Sequence, residues 1–287
     1  MKKNIRELKL SDLENILNKL EEPGYRSRQI FRWLWKERVS SFNQMSNISS
    51  KCKDYLNNNF NIQYTEIDKK IKSNDGTIKF LFTLPDGKKC EGVLIPENQR
   101  ITACVSSQVG CSFSCKFCAT GKMKRTRNIF AFEIYDQVTL MMEEAKKNFD
   151  NYLTNIVYMG MGEPLVNYQN VIESINYIVS KDGLNMSSKR ITLSTVGVSK
   201  MIKKLADDNI KVNLAVSLHS ANNIKRSQIM DVNHFNNLDD LRDSLLYFYS
   251  KTKIKITYEY VMLKDFNDSK QDAIDLAKFS KIIPSKI

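Results

Sequence analysis

From residue 101 onward, short apolar runs alternate with amphipathic stretches, and that alternation leaves few architectures open. ITACVS (101–106), NIVYMG (155–160), RITLST (190–195), VNLAVSL (212–218) and ITYEYVML (256–263) read as strands. Helical spacing of apolar residues fills the gaps at 131–148, 168–180, 198–208, 237–250 and 270–281. Such alternation predicts an α/β fold built on a parallel sheet, with chemically active groups gathered at the carboxyl ends of the strands.

That rim is well supplied. The first strand runs into CVSSQVGCSFSCKFC, which holds Cys104, Cys111, Cys115 and Cys118, four of the chain's six cysteines. The second runs into Gly160-Met161-Gly162-Glu163-Pro164, the third ends at Ser194, and the fourth ends at Ser217-Leu218-His219. A glycine pair of this kind is no dinucleotide fingerprint, because its third glycine is missing.

Ahead of the repeats, residues 1–63 read as a small helical domain. LENILNKL is capped by Ser11 and Asp12 and broken at Pro23-Gly24, and RSRQIFRWLWKERV carries Arg28, Arg32 and Lys36 on one face. Residues 64–98 form a junction in which TIKFLFTL and KCEGVLIP flank a hairpin turn at Pro85-Asp86-Gly87. Residues 99–287 hold the repeats.

Cys111, Cys115 and Cys118 follow a C-x3-C-x2-C spacing, tight enough for one loop to wrap three thiolates around a compact inorganic centre. Disulfides suit a reducing compartment poorly. Zinc calls for paired C-x2-C units or nearby histidines, whereas the two histidines, His219 and His234, lie far along the chain. The spacing favours an iron–sulfur cluster with one iron open to an exogenous ligand; a fourth bond from Cys104, or zinc, remains an alternative. A net charge of +12 points to a polyanionic partner, with nucleic acid foremost. No apolar run is long enough to span a bilayer, and the N-terminus lacks a signal-peptide pattern, so a cytoplasmic location is expected.

The cysteine loop, with Phe117 before its last cysteine, resembles the signature of radical S-adenosylmethionine enzymes. CVSSQVGCSFSCKFCATGKMKRTRN, YMGMGEPLVNYQNV, KRITLSTVGV, LAVSLHS and TYEYVMLKDFND are similar to consecutive blocks of the RlmN-type dual-specificity RNA adenine-C2 methyltransferases, and GYRSRQIFRWLW to their N-terminal domain. The resemblance implies an incomplete radical-SAM barrel, a [4Fe-4S] cluster on Cys111, Cys115 and Cys118, and S-adenosyl-L-methionine at its open iron. Gly162 and Glu163 would contact the methionine part, while Ser194, Ser217, Leu218 and His219 would line the rest of that pocket. Glu91 would accept the proton leaving adenine C2, and Cys104 would help resolve a covalent RNA–protein intermediate. Cys52 and Cys90 carry no argued role.

The implied partners are 23S rRNA, tRNA and a one-electron donor protein, with no membrane and a monomer when complete. Lys116, Lys122, Lys124, Arg125 and Arg127 around the loop would meet RNA phosphates. The family also places a methyl-carrying cysteine in a late segment, whereas no cysteine follows Cys118 here and Asp231 stands where a proline is usual. The expectation is a sequence that stops short of a longer protein and does not complete methyl transfer alone. A C8-methylating relative and a noncatalytic iron–sulfur RNA-binding protein are the rival readings.

Overall fold

The computed structural model describes residues 2–287. Three helices come first: α1 (Leu10–Lys19), α2 (Tyr25–Trp35) and α3 (Ser50–Asn59). α1 begins one residue before the expected cap. Lys9 takes the cap position and its backbone N–H donates to the Asp12 carboxylate at 2.9 Å, so Asp12 works from inside the first turn.

The strands of the main sheet follow in chain order: β1 (Glu66–Lys72), β2 (Ile78–Thr83), β3 (Lys89–Glu97), β4 (Arg100–Cys104), β5 (Asn155–Tyr158), β6 (Ile191–Thr195), β7 (Asn213–Ser217), β8 (Ile256–Glu259) and β9 (Ser285–Lys286). Each strand pairs with its sequence neighbour, antiparallel from β1 to β4 and parallel from β4 to β9. The sheet is open, with β1 and β9 as its edges.

The hairpin region is therefore not a separate junction in its hydrogen bonding, because β3 pairs directly with β4. It also holds a strand that sequence reading missed. β1 is EIDKKIK, almost wholly exposed, and its charges hid the alternation that marks a half-buried strand. At the tip between β2 and β3, Gly87 has φ +80° and its N–H donates to Leu84 O at 2.8 Å, which closes the expected turn.

Six further helices lie between or after the parallel strands: α4 (Ala131–Phe149), α5 (Tyr168–Val179), α6 (Ser199–Asp207), α7 (Asn223–Ile229), α8 (Leu238–Thr252) and α9 (Lys270–Ser280). They follow from buried apolar side chains at helical spacing, such as Ile134, Val138, Met141 and Ala145 on α4. α7 went unread because seven residues are too few to show a period. Among the described residues no helix is long and apolar enough to cross a membrane.

One side of the sheet is apolar. Phe80, Phe82, Leu94, Ala103, Ile156, Leu193, Leu214, Val216 and Tyr258 alternate inward along their strands and are buried. This is the helix-covered side: a Cβ on Gly92 would meet the Met141 methyl of α4 at 3.4 Å, and Tyr258 meets Phe279 of α9 edge-on.

The N-terminal helices are bolted to the sheet domain by one buried ion pair. Arg6 and Asp136 of α4 are joined by two hydrogen bonds of 2.8 Å, both side chains are fully buried, and the guanidinium lies over the rings of Trp35 and Tyr64. Removing Arg6 leaves the buried Asp136 carboxylate with only Arg38, 3.9 Å away, and the Thr65 N–H at 3.0 Å. Arg6→Ala is expected to cost about 3–5 kcal/mol. Urea denaturation checks this, and the double variant Arg6→Ala/Asp136→Ala should lose less than the sum of the two single changes.

Candidate active site

The site begins with the loop that follows β4. Its base is pinched by an antiparallel pair, Gln108–Val109 against Arg127–Asn128, and closed by hydrogen bonds from Thr126 N to Val109 O (2.8 Å) and Cys111 N to Met123 O (3.3 Å). Gly110 stands at φ +79°, where a Cβ would come within 2.9 Å of the Arg125 Cα. Further along, a Cβ on Gly121 would press on the Cys115 carbonyl oxygen at 2.6 Å. Only glycine fits at either place. The Lys116 N–H donates to Ile229 O at 3.0 Å, which seats the loop on the end of α7.

A second loop, 160–164 after β5, lies against the first. Gly162, at φ +94°, would bring a Cβ to 2.6 Å from Gln108 Cγ. The Gln108 carbonyl oxygen accepts from Glu163 N (3.1 Å), Ser112 N (3.3 Å) and Ser112 Oγ (3.2 Å), while its amide donates to Asn128 Oδ1 (2.9 Å). One buried amide therefore ties both loops together. Sequence reading passed over Gln108 because a lone glutamine between cysteines carries no motif.

These loops enclose a cleft with Cys111, Cys115 and Cys118 on one wall and Gly162, Glu163, Ser194, Ser217 and Glu259 on the other. Seven of the residues expected at the site thus converge. Glu259 was not expected, although its parity in β8 matches that of Ser217, its direct partner in β7. Its carboxyl accepts from Ser194 Oγ at 3.3 Å, and burial holds it above the ordinary carboxylate range.

Leu218 and His219 are placed differently. The Leu218 side chain is fully buried in the main core and does not line the cleft. His219 sits behind the cleft wall at φ +55°, its ring edge-on to Phe117 with centroids 4.4 Å apart. Its Nδ1 accepts from Val261 N at 3.1 Å, which assigns the proton to Nε2. Burial, aided by Arg226, lowers its pKa to about 4, so the imidazole is neutral near pH 7. It reaches the cleft through the ring of Phe117.

Glu91 and Cys104 lie beside the cleft on the side of the sheet away from the helices. Val93 of β3 pairs with Cys104, and Glu91, two residues earlier, shares their face one step nearer the strand-end rim. The Glu91 carboxylate is half exposed and meets Lys79 Nζ at 2.9 Å. Cys104 is buried, does not line the cleft, and has its thiol pushed up to about 11 by burial, a shift offset in part by the Met159 N–H.

The basic ring around the loop is smaller than expected. Arg127 is committed to structure, with paired contacts of 2.7–2.8 Å to Asp86 at the hairpin tip and two of 2.8 Å to Glu133 at the start of α4. Lys116, Lys122, Lys124 and Arg125 have no carboxylate partner among the described residues.

The donor set fits the expected group. Cys111, Cys115 and Cys118 line one cleft, which places three thiol ligands around a shared space. Burial, with the neighbouring thiolates, raises the Cys115 thiol to about 12, which a metal centre would offset. Across the cleft, Glu163 is buried with only uncharged donors: Leu165 N at 3.0 Å, Val196 N at 2.9 Å and the Thr195 hydroxyl. A buried carboxylate without a cation suits a ligand that brings an ammonium.

Together, fold and site define a radical-SAM type of protein. A family profile described as "Radical SAM superfamily" matches residues 105–277, and one described as "Ribosomal RNA large subunit methyltransferase N-terminal domain" matches residues 3–62. A probable dual-specificity RNA methyltransferase RlmN of Cytophaga hutchinsonii is 52% identical over 286 residues, covering 100% of this chain and 78% of the relative. Its counterpart in Christiangramia forsetii is 51% identical, covering 100% and 81%. A crystal structure of a radical SAM methyltransferase from Sphaerobacter thermophilus superposes with a TM-score of 0.88 at 34% identity, covering 99% of this chain and 83% of that one. The chain belongs to the RlmN family of radical SAM methyltransferases, whose cofactors are a [4Fe-4S] cluster and S-adenosylmethionine.

Burial raises the Glu163 pKa from 4.5 to about 7 against its three hydrogen bonds. The unfolded carboxyl releases its proton near 4.5 and the folded one only near 7, so this group's stabilising contribution is complete below about pH 4.5 and drains away as pH rises to about 7. For cofactor-free protein the loss is on the order of 3 kcal/mol. Thermal unfolding between pH 4.5 and 7 should show that slope, and Glu163→Gln should flatten it.

Proposed function

We propose that this protein methylates C2 of adenosine in 23S rRNA and tRNA, using a [4Fe-4S] cluster and S-adenosylmethionine. The observation that carries the proposal is the shared face of the sheet. Glu91 and Cys104 stand on the same side as Ser194, Ser217 and Glu259, so groups suited to base chemistry adjoin the cleft suited to the cofactor.

In this reading Cys111, Cys115 and Cys118 hold the cluster. When bound, the cluster supplies one-electron reductive cleavage of the S-adenosylmethionine sulfonium. Glu163 accepts hydrogen bonds from the methionine ammonium, with Gly162 giving the ligand room to approach. Ser194 and Ser217 meet the ribose, and His219 holds Phe117 in place. Glu91 takes the proton from adenine C2, and Cys104 acts on the covalent RNA–protein intermediate. In this reading the methyl-carrying thiol that holds that intermediate is not one of the six cysteines of this sequence.

An adenine reaches such a cleft only by leaving its stack. Lys116, Lys122, Lys124 and Arg125, unpaired around the loop, would hold the phosphates while it does so. The reading also includes a one-electron donor protein, a cytoplasmic location and a monomeric state.

The test uses iron-loaded protein under anaerobic conditions with a one-electron reductant and S-adenosylmethionine. 5′-Deoxyadenosine should form, and Cys115→Ala should reduce it to background. RNA binding should weaken steeply with salt, and a Lys122→Ala/Lys124→Ala variant should lower the log–log salt slope by about two. Fully loaded protein that binds RNA yet forms no 5′-deoxyadenosine would instead make it a noncatalytic RNA binder.

A further inference from the structure

Arg226 of α7 is fully buried, and every hydrogen bond it makes goes to an uncharged oxygen. Nε donates to Leu218 O (3.1 Å), Nη1 to Asn233 Oδ1 (2.8 Å), and Nη2 to Val196 O (2.6 Å) and Ser217 O (3.2 Å). No carboxylate is paired with it among the described residues. The contrast with Arg6, equally buried but matched to Asp136, is direct. A desolvated cation held only by dipoles is costly, and a neutral side chain would serve better if anchoring the strand ends were its whole task.

What lies beside this charge is the cysteine loop. Ile229, Met230 and Val232, just beyond Arg226, pack with Cys115, Phe113 and Cys118 in a small apolar cluster of their own. Burial pulls the Arg226 pKa down to about 10, and the Cys115 thiolate acts in the opposite sense.

We propose that Arg226 is the fixed counter-charge of the iron–sulfur cluster, a positioning residue that raises the cluster's midpoint potential and so favours its one-electron reduction. The inference rests on the reading that Cys111, Cys115 and Cys118 hold that cluster. A four-iron centre with three thiolates is net negative and gains one further negative charge on accepting an electron; no bond is made or broken. A cation in a low-dielectric setting stabilises the reduced form more than the oxidised one. Lys116, Lys122 and Lys124 also stand near the loop, but water and salt screen them, whereas Arg226 is shielded from both.

The full chain, loaded with iron and sulfide anaerobically, is titrated with dithionite and redox mediators at high salt and followed by electron paramagnetic resonance. Arg226→Gln should shift the reduction equilibrium about tenfold toward the oxidised cluster, a fall of about 59 mV for a one-electron couple. Arg226→Lys, which keeps the charge, should stay close to the unmodified chain. Asn233→Asp, which sets a carboxylate against Nη1, should lower the potential with the guanidinium still in place, and it decides the matter alone if Arg226→Gln does not fold. Unmoved potentials in Arg226→Gln and Asn233→Asp would overturn the inference, as would a Lys variant that falls as far as the Gln variant. A chain that takes up no iron would overturn the cluster assignment and this inference with it, an outcome distinct from a loaded cluster whose potential does not move.

Discussion

Everything at the site depends on an unbroken register across the sheet. Val93 pairs with Cys104, Cys104 with Val157, Val157 with Thr192 and Thr192 with Asn213. Two residues further along, Ser194, Ala215 and Thr257 align, and then Ser217 and Glu259. Because side chains alternate with period two, this chain of partners places all of them on the side away from the helices. A one-residue slip in any strand would send that strand's polar groups into the helix-covered core. The apolar residues of the opposite parity, buried under the helices, hold the register in place.

Close packing of two loops then converts that face into a cleft. Gln108 has no charge and performs no chemistry, yet it binds the cysteine loop to the 160–164 loop through both ends of its amide. The glycines at 110, 121 and 162 are required by the same closeness. Burial at this junction leaves two groups hydrogen-bonded only to uncharged partners, Glu163 facing the cleft and Arg226 behind the cysteine loop. They are opposite in sign, as are the ammonium-bearing and thiolate-bound ligands proposed to meet them. Pairing within the protein would have been cheaper for folding alone, so their separation is best explained by what binds between them.

The repeats and the cysteine loop were legible because apolar period and ligand spacing are local signals. Strand positions matched to within a few residues, and Cys111, Cys115, Cys118, Gly162, Glu163, Ser194 and Ser217 were all found on one cleft. β1 was missed because its exposed lysines and glutamate resemble loop composition. Glu259, Gln108 and Arg226 escaped notice because their importance lies in tertiary partners: Ser194, 65 residues from Glu259; Asn128 and Glu163, 20 and 55 residues from Gln108; and Val196, 30 residues from Arg226. Arg127 misled in the other direction: within a basic run it reads as a phosphate contact, but it is a strut between Asp86 and Glu133. Leu218 shares a tripeptide with cleft-side Ser217, but its parity turns it into the core.

Four thiols divide the labour: Cys111, Cys115 and Cys118 line the cleft, whereas Cys104, buried within β4, does not. Mössbauer spectroscopy of iron-57-loaded protein, before and after addition of S-adenosylmethionine, measures that division. The account predicts that one iron in four changes its spectrum when the ligand is added, since three thiolates leave one iron available. Four irons that do not respond would mean that Cys104, or another protein group, completes the set, and would contradict it.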